Sequence, residues 1–190
     1  AIARREGEQG EEFSLSCNPE VLLDSLPEIR KMRQRGKNIL VVGQVHPDMP
    51  FMVNSAQVPA DTFDMIIEDP AYTSRLINTP NMPVGMAEHF IGLAASALVK
   101  DGGTLQIGIG ALGDAVASGL LLRHQNNDVY QQLLADTHLG TNWFDVLEET
   151  GSEGSFETGL YGCSEMFTYG LFKLMEAGVI KREVQGPGGQ

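Results

Sequence analysis

Glu165 stands in the run Leu160-Tyr161-Gly162-Cys163-Ser164-Glu165-Met166-Phe167, where a glycine lets the backbone turn just before a helix-like pattern begins. A glutamate held at such a turn can act as a nucleophile, because it is ionised at neutral pH and needs no base to activate it. Upstream, Leu105-Gln106-Ile107-Gly108-Ile109-Gly110-Ala111 reads as a strand passing through a glycine turn into a helix. The free amides of such a helix start can seat a phosphate. A phosphate cradle and a positioned glutamate together point to an enzyme that acts on a phosphate-bearing substrate through a carboxylate.

Each feature also has a structural reading. Ser164 suits the N-cap of the helix that follows, and Glu165 its first turn, where the helix dipole favours an acid. Gly162-Cys163-Ser164-Glu165-Met166 approaches the serine-hydrolase elbow G-x-S-x-G, but its fifth residue is methionine. Gly108 to Gly113 has the G-x-G-x-x-G spacing of dinucleotide sites. Those sites also need a second strand ending in an acid about 20 residues on. Here that place falls at Leu133-Leu134, in Asn/Gln-rich sequence. Close packing at a strand-to-helix junction and anion binding by helix amides both fit the turn, and Asp114 suits the dipole under either.

The elements that must position these residues follow an α/β order. Residues 1–12 read as a loop or frayed segment. Asn18 to Arg35 carries Val21, Leu22, Leu26, Ile29 and Met32 at helical steps, with Pro27 dividing it into two short helices. Ile39 to Val42 and Phe63 to Glu68 read as strands, the first buried. The proline-rich stretch 69–85 reads as a linker. His89 to Lys100 forms a helix with Phe90, Leu93, Ala94, Ala97 and Leu98 inward, ended by Asp101-Gly102-Gly103. A strand over Thr104 to Ile107 and a helix over Leu112 to Leu122 follow. Residues 123–158, polar and acidic with a weak helix near Val129–Leu134, read as an insertion over the surface. Glu165 to Ala177 is the last helix.

The 190 residues hold 25 acids against 13 bases, a net charge of −12, which repels nucleic acid and anionic membranes. Cys17 and Cys163 and the four histidines (His46, His89, His124 and His138) show no ligand spacing, so no metal is expected. No run reaches the roughly 18 apolar residues of a membrane span and no leader is evident, so the cytoplasm is the expected location.

Three segments carry a family resemblance. Asp101 to Val116 (DGGTLQIGIGALGDAV) and Gly162 to Ile180 (GCSEMFTYGLFKLMEAGVI) resemble the acetyl-CoA hydrolase/transferase family, the glutamate-thioester CoA transferases of the 4-hydroxybutyrate/acetate type. Val45-His46-Pro47-Asp48-Met49-Pro50 is similar to that family's Asn-Pro-Asn-Met-Pro element. The resemblance implies an α/β fold, an open sheet with flanking helices of the NagB/RpiA/CoA-transferase type. By it, residues 1–68 match the end of the first half of such an enzyme. Residues 69–85 match the junction, and residues 86–190 the start of the second, catalytic half.

The same resemblance makes Glu165 the catalytic residue, with Cys163-Ser164 where the family commonly has His-Thr. It places Gln106, Gly108, Gly110 and Asp114 against coenzyme A, and likens Gly186-Pro187-Gly188-Gly189-Gln190 to a Gly-x-Gly-Gly-Gln loop, so that Gly188 and Gly189 would also contact CoA or an oxyanion. The implied activity is an acyl-CoA:carboxylate CoA transferase, or an acyl-CoA hydrolase if water replaces the acceptor acid. Its partners would be acyl-CoA and a small carboxylic acid, with no nucleic acid, no membrane and no metal, in a homo-oligomer by analogy. A noncatalytic CoA-binding or regulatory domain of the same fold is the alternative. Phe167, Tyr169 and Phe172 fit either an acyl pocket or a helix core, and Trp143 either a lid or local packing.

Overall fold

The structure, a computed structural model, describes residues 1–8, 10–17, 19–137 and 144–185. These form small open sheets with helices between them, an α/β arrangement in two compact units that meet in sequence between Ile77 and Asn78.

In the first unit β1 (Ala3–Gly7) and β2 (Gly10–Ser14) form a hairpin, joined antiparallel to β4 (Gln57–Val58). The expectation of a frayed start is therefore corrected. Ion pairs tie the strands on both faces of the hairpin, Arg4 with Glu11 and Arg5 with Glu12 at 2.7 Å each. Phe13, opposite Arg4 in the register, enters a core completed by Ile2, Leu15, Val41, Val45, Val58 and Phe63. Helix α1 (Pro19–Gln34) lays Leu22, Leu23, Leu26 and Ile29 on that core. It is one helix rather than two: Pro27 lies within it on the exposed side, and Val21 and Met32 also face solvent. β3 (Val42–Gln44) pairs parallel with β5 (Met65–Ile67). The strand thus starts later than the run Ile39–Val42 implied, and of that run only Val41 is buried. His46 is 4% exposed; its Nδ1 accepts from the Asp48 N–H at 3.2 Å, so Nε2 donates to the Ser74 carbonyl at 2.6 Å.

Residues 73–85 carry no helix or strand. The second unit then builds α2 (Met86–Ala97), β6 (Thr104–Gln106), α3 (Ala111–Gln125), α4 (Asn127–Asp136), α5 (Phe144–Thr150), β7 (Tyr161–Cys163) and α6 (Tyr169–Glu176). α2 and α3 cross where glycine meets glycine. A Cβ on Gly92 would lie 2.4 Å from the Ala115 carbonyl oxygen, and one on Gly119 2.8 Å from the Gly92 carbonyl oxygen. Phe90, expected inward, is half exposed, because Leu93, Ser96 and Ala97 make the buried face of α2.

The described part of 123–158 is not confined to the surface as its polarity implied. Arg123, Tyr130, Leu134 and Phe156 from this stretch are all buried. Arg123 is wholly enclosed: Nη1 donates to the Ser96 and Val99 carbonyls at 2.9 and 2.6 Å, Nε to the Gly154 carbonyl at 2.7 Å, and its plane covers the Phe156 ring at 4.3 Å. Tyr130 meets Ser96 Oγ at 3.0 Å. The remaining core is Leu105, Ile107, Ala117, Leu120, Leu160, Leu171, Leu174 and Val179.

Asp101 fastens the loop before β7 to the turn after α2. Its carboxylate accepts from the N–H groups of Gly102, Glu157, Thr158 and Gly159 at 2.8–3.1 Å. Partial burial raises its pKa, but the four N–H donors outweigh that and hold it below the ordinary carboxylate value. A depressed folded pKa means this stabilisation is complete above the unfolded value of about 3.9 and is lost as pH falls through the lower folded value. Asp101→Asn is expected to cost about 1–2 kcal/mol at pH 7, part exposure letting water replace some of the lost bonding. It should also flatten the acid limb of stability. Urea melts of both proteins at pH 7 and pH 3 check this, and an identical pH dependence would refute it.

Candidate functional site

β6 and β7 run parallel, with Gln106 beside Cys163, so their carboxyl ends open at one edge. Ligands of open α/β sheets bind at such edges. From β6 the chain enters the glycine turn and α3; from β7 it enters the loop 164–168 and α6. Two hydrogen bonds lace these exits together. The Ile107 N–H donates to the Cys163 carbonyl at 3.3 Å, and the Ser164 hydroxyl donates to the Ile107 carbonyl at 2.8 Å.

That second bond overturns the capping expected of Ser164. The N-cap is Thr168, whose Oγ1 accepts from the Leu171 N–H at 3.3 Å, and α6 begins only at Tyr169. Glu165 therefore sits in the loop ahead of the helix, exposed, rather than in its first turn. The same bond occupies the Ser164 hydroxyl proton and argues against this serine as a nucleophile.

Gly110 is the N-cap of α3 at φ +121°, a backbone that L side chains rarely adopt. Gly113, one turn in, closes against the turn: a Cβ there would lie 2.3 Å from the Gly108 carbonyl oxygen and 2.8 Å from Ile107 Cγ2. Gly113→Ala is accordingly expected to displace the glycine turn and destabilise the protein by about 1–3 kcal/mol. An unshifted denaturation midpoint would contradict this contact.

A cleft of about 390 Å³ opens beside these exits. Ile109, Gly110 and Asp114 line it from the turn and α3; Phe167, Thr168, Tyr169 and Phe172 line it from the Glu165 loop and α6; residues 78–81 complete the lining. Phe167 and Tyr169 are 64% and 61% exposed, so they are not helix core. Both rings pack on Phe172, at 6.4 and 6.5 Å between centroids. Lys173 lies over Tyr169 and Phe172 with its ammonium bonded to Glu176 at 2.7 Å, which raises its pKa.

Of the residues singled out in the sequence, Gly110 and Asp114 line the cleft, and Glu165 is in the loop that leads into its wall. Gln106 and Gly108 are exposed at the end of β6 and outside the lining. Gly188, Gly189 and Trp143 lie outside the described residues. Sequence reasoning missed Ile109, Thr168 and the 78–81 segment, whose prolines and polar residues read only as a linker. Among the described residues no group of three or more His, Cys, Asp or Glu is placed to hold a metal ion, and no helix is long and apolar enough to cross a membrane.

Comparison with known proteins gives three likenesses. No protein-family profile matches the chain. Over 98 residues, 51% of this chain, it is 31% identical to the 4-hydroxybutyrate coenzyme A transferase of Clostridium kluyveri, covering 22% of that protein. In fold, 94% of the chain superposes on RipA from Yersinia pestis with a TM-score of 0.59 at 20% identity, covering 31% of that chain. The same share superposes on the 4-hydroxybutyrate CoA-transferase of Porphyromonas gingivalis with a TM-score of 0.52 at 23% identity, covering 33% of that chain. The chain thus spans between a fifth and a third of the length of these proteins.

Proposed function

From a chain related in sequence and fold to the CoA transferases, we propose a role as the nucleophile-bearing part of an acyl-CoA:carboxylate CoA transferase. Glu165 is the attacking group. The observation that carries this reading is the parallel pairing of β6 and β7, with the Ser164–Ile107 bond holding the Glu165 loop against the glycine turn. An exposed, loop-borne carboxylate beside a glycine turn and a cleft has the access that attack on a thioester requires.

A Glu165 oxygen attacks the thioester carbonyl of an acyl-CoA, the carbon–sulfur bond breaks, and CoA thiolate leaves a mixed anhydride on the protein. The thiolate then attacks the glutamyl carbonyl, giving a glutamyl-CoA thioester and freeing the carboxylic acid. A second carboxylate reverses both steps and departs as the new acyl-CoA. Attack by water in its place makes the same site a hydrolase. Each tetrahedral intermediate bears an oxyanion, and a single amide donor to it is worth about 3–4 kcal/mol. Gln106, Gly108, Gly110 and Asp114 are the proposed CoA contacts, joined by Gly188 and Gly189 of the tail. Assembly with a second copy and action on small carboxylic acids belong to the same proposal.

Incubating the chain with acetyl-CoA and searching the digest by mass spectrometry for a CoA adduct tests it, with Glu165→Ala in parallel. An adduct on the Glu165 peptide, absent from the variant, is expected. Tight CoA binding with no adduct would replace the transferase with a noncatalytic CoA-binding domain.

A further inference from the structure

Leu105 and Ile107 are buried, while Gln106 between them is exposed. On β7 a Cβ at Gly162 would meet Ile180 and Leu171, so Gly162 looks into the same core. Alternation then sets Thr104 and Gln106 on the opposite face, paired across the parallel register with Tyr161 and Cys163. Arg182 covers the first of these pairs: its Nη2 donates to Thr104 Oγ1 at 2.8 Å, and its guanidinium lies 6.0 Å from the centre of the Tyr161 ring. Beyond the second pair, Ser164 is turned toward the Ile107 carbonyl, which brings Glu165 out on the face of Gln106 and Cys163. Strands lie about 4.8 Å apart and rise about 3.3 Å per residue, so Glu165 follows Gln106 on a diagonal of roughly 8 Å, a gap two long side chains span. Neither Gln106 nor Glu165 has a side-chain partner among the described residues.

We propose that Gln106 is a further catalytic residue, its carboxamide N–H donating to the Glu165 oxygen that does not attack. The proposal rests on the CoA-transferase reading above and adds a donor to it. In the mixed anhydride that oxygen is the glutamyl carbonyl. When the CoA thiolate adds to the glutamyl carbon, the oxygen takes up the negative charge. It gives the charge back as the bond to the departing carboxylate breaks. An N–H aimed at it is bonded more strongly in the tetrahedral state than before or after, so it lowers the barrier without tightening the substrate. Cys163, the neighbour of Gln106 across the register, offers only a weak S–H donor for the same task. The bond closes when acyl-CoA is bound, as catalytic hydrogen bonds commonly tighten in the complex. Gln106 therefore meets CoA at its thioester end.

The rate at which acetyl-CoA converts the full chain to its CoA adduct, followed by mass spectrometry across acetyl-CoA concentrations, tests this, with CoA affinity measured by titration calorimetry. Gln106→Ala is expected to lower the saturating rate by about a hundredfold, as loss of one oxyanion donor does. The half-saturating acetyl-CoA concentration and the CoA affinity should stay within about twofold of the parent. Gln106→Glu keeps the shape but lacks the N–H, and is expected to be slowed at least as much. Gln106 is exposed, so both variants should fold, which thermal melts check. If either variant stays within about threefold of the parent's saturating rate, or if the loss lies in half-saturation and CoA affinity alone, Gln106 is not this donor and the transferase reading stands. If the wild-type chain forms no acetyl-CoA adduct, the transferase reading fails and this proposal with it.

Discussion

With Glu165 in the proposed role of nucleophile, its replacement by Gln is expected to lower acyl transfer by at least about a thousandfold, because an amide cannot supply the attacking oxygen anion and the proposed covalent route has no substitute. Glu165 is exposed and bonded to no described residue, so the variant should melt within about 0.5 kcal/mol of the parent. Glu165→Asp keeps the carboxylate but withdraws it by one methylene. A displacement near 1 Å costs on the order of a hundredfold, which ranks Asp between Glu and Gln. Initial rates with acetyl-CoA and a second carboxylic acid measure all three. If Glu165→Gln retained the parent rate, another residue would have to be the nucleophile.

The largest effect on stability is expected at Arg123. Truncation to Ala would leave the carbonyls of Ser96, Val99 and Gly154 without their donor and open a cavity beside Phe156. Losses of this kind run to about 3–5 kcal/mol, a large part of the 5–15 kcal/mol that holds a domain together. Burial lowers the Arg123 pKa, while Tyr130, Asp101 and Glu153 oppose that. An arginine keeps its charge under such conditions, so the three carbonyls receive charge-assisted bonds. Lysine would not rescue the site, since one ammonium cannot reproduce a planar fork aimed at three carbonyls. Guanidinium melts of Arg123→Ala and Arg123→Lys should both show a collapsed midpoint; a near-native Lys variant would mean the fork geometry does not matter.

What could be read from the sequence was what neighbours along the chain decide. The strand, the glycine turn and the helix from Thr104 to Gln125 are dictated by local periodicity and by residues with special backbones, and they appear where expected apart from an end or two. The position of Glu165 was legible as a residue but not as a setting. Ser164 and Thr168 are both good caps, and the choice between them is made by the Ile107 carbonyl, 57 residues away. Arg123 read as surface because a charge is costly to bury, and the three carbonyls that enclose it come from two distant stretches. The first hairpin hid for a related reason. Its outward charges look like disorder until Arg4 and Arg5 meet their acids on the neighbouring strand. The cleft needed both exits at once, so its lining could not be assembled from either motif alone.

The bond from Ser164 to Ile107 makes two loops into one mechanical part. A ligand that moves the start of α3 drags the carboxylate with it, and a ligand that engages the carboxylate pulls on the glycine turn. The smallest piece that could be transplanted to another scaffold with its geometry intact is therefore the strand pair with both its exits, since the Glu165 loop grafted alone would arrive with a hydroxyl that has lost its anchor.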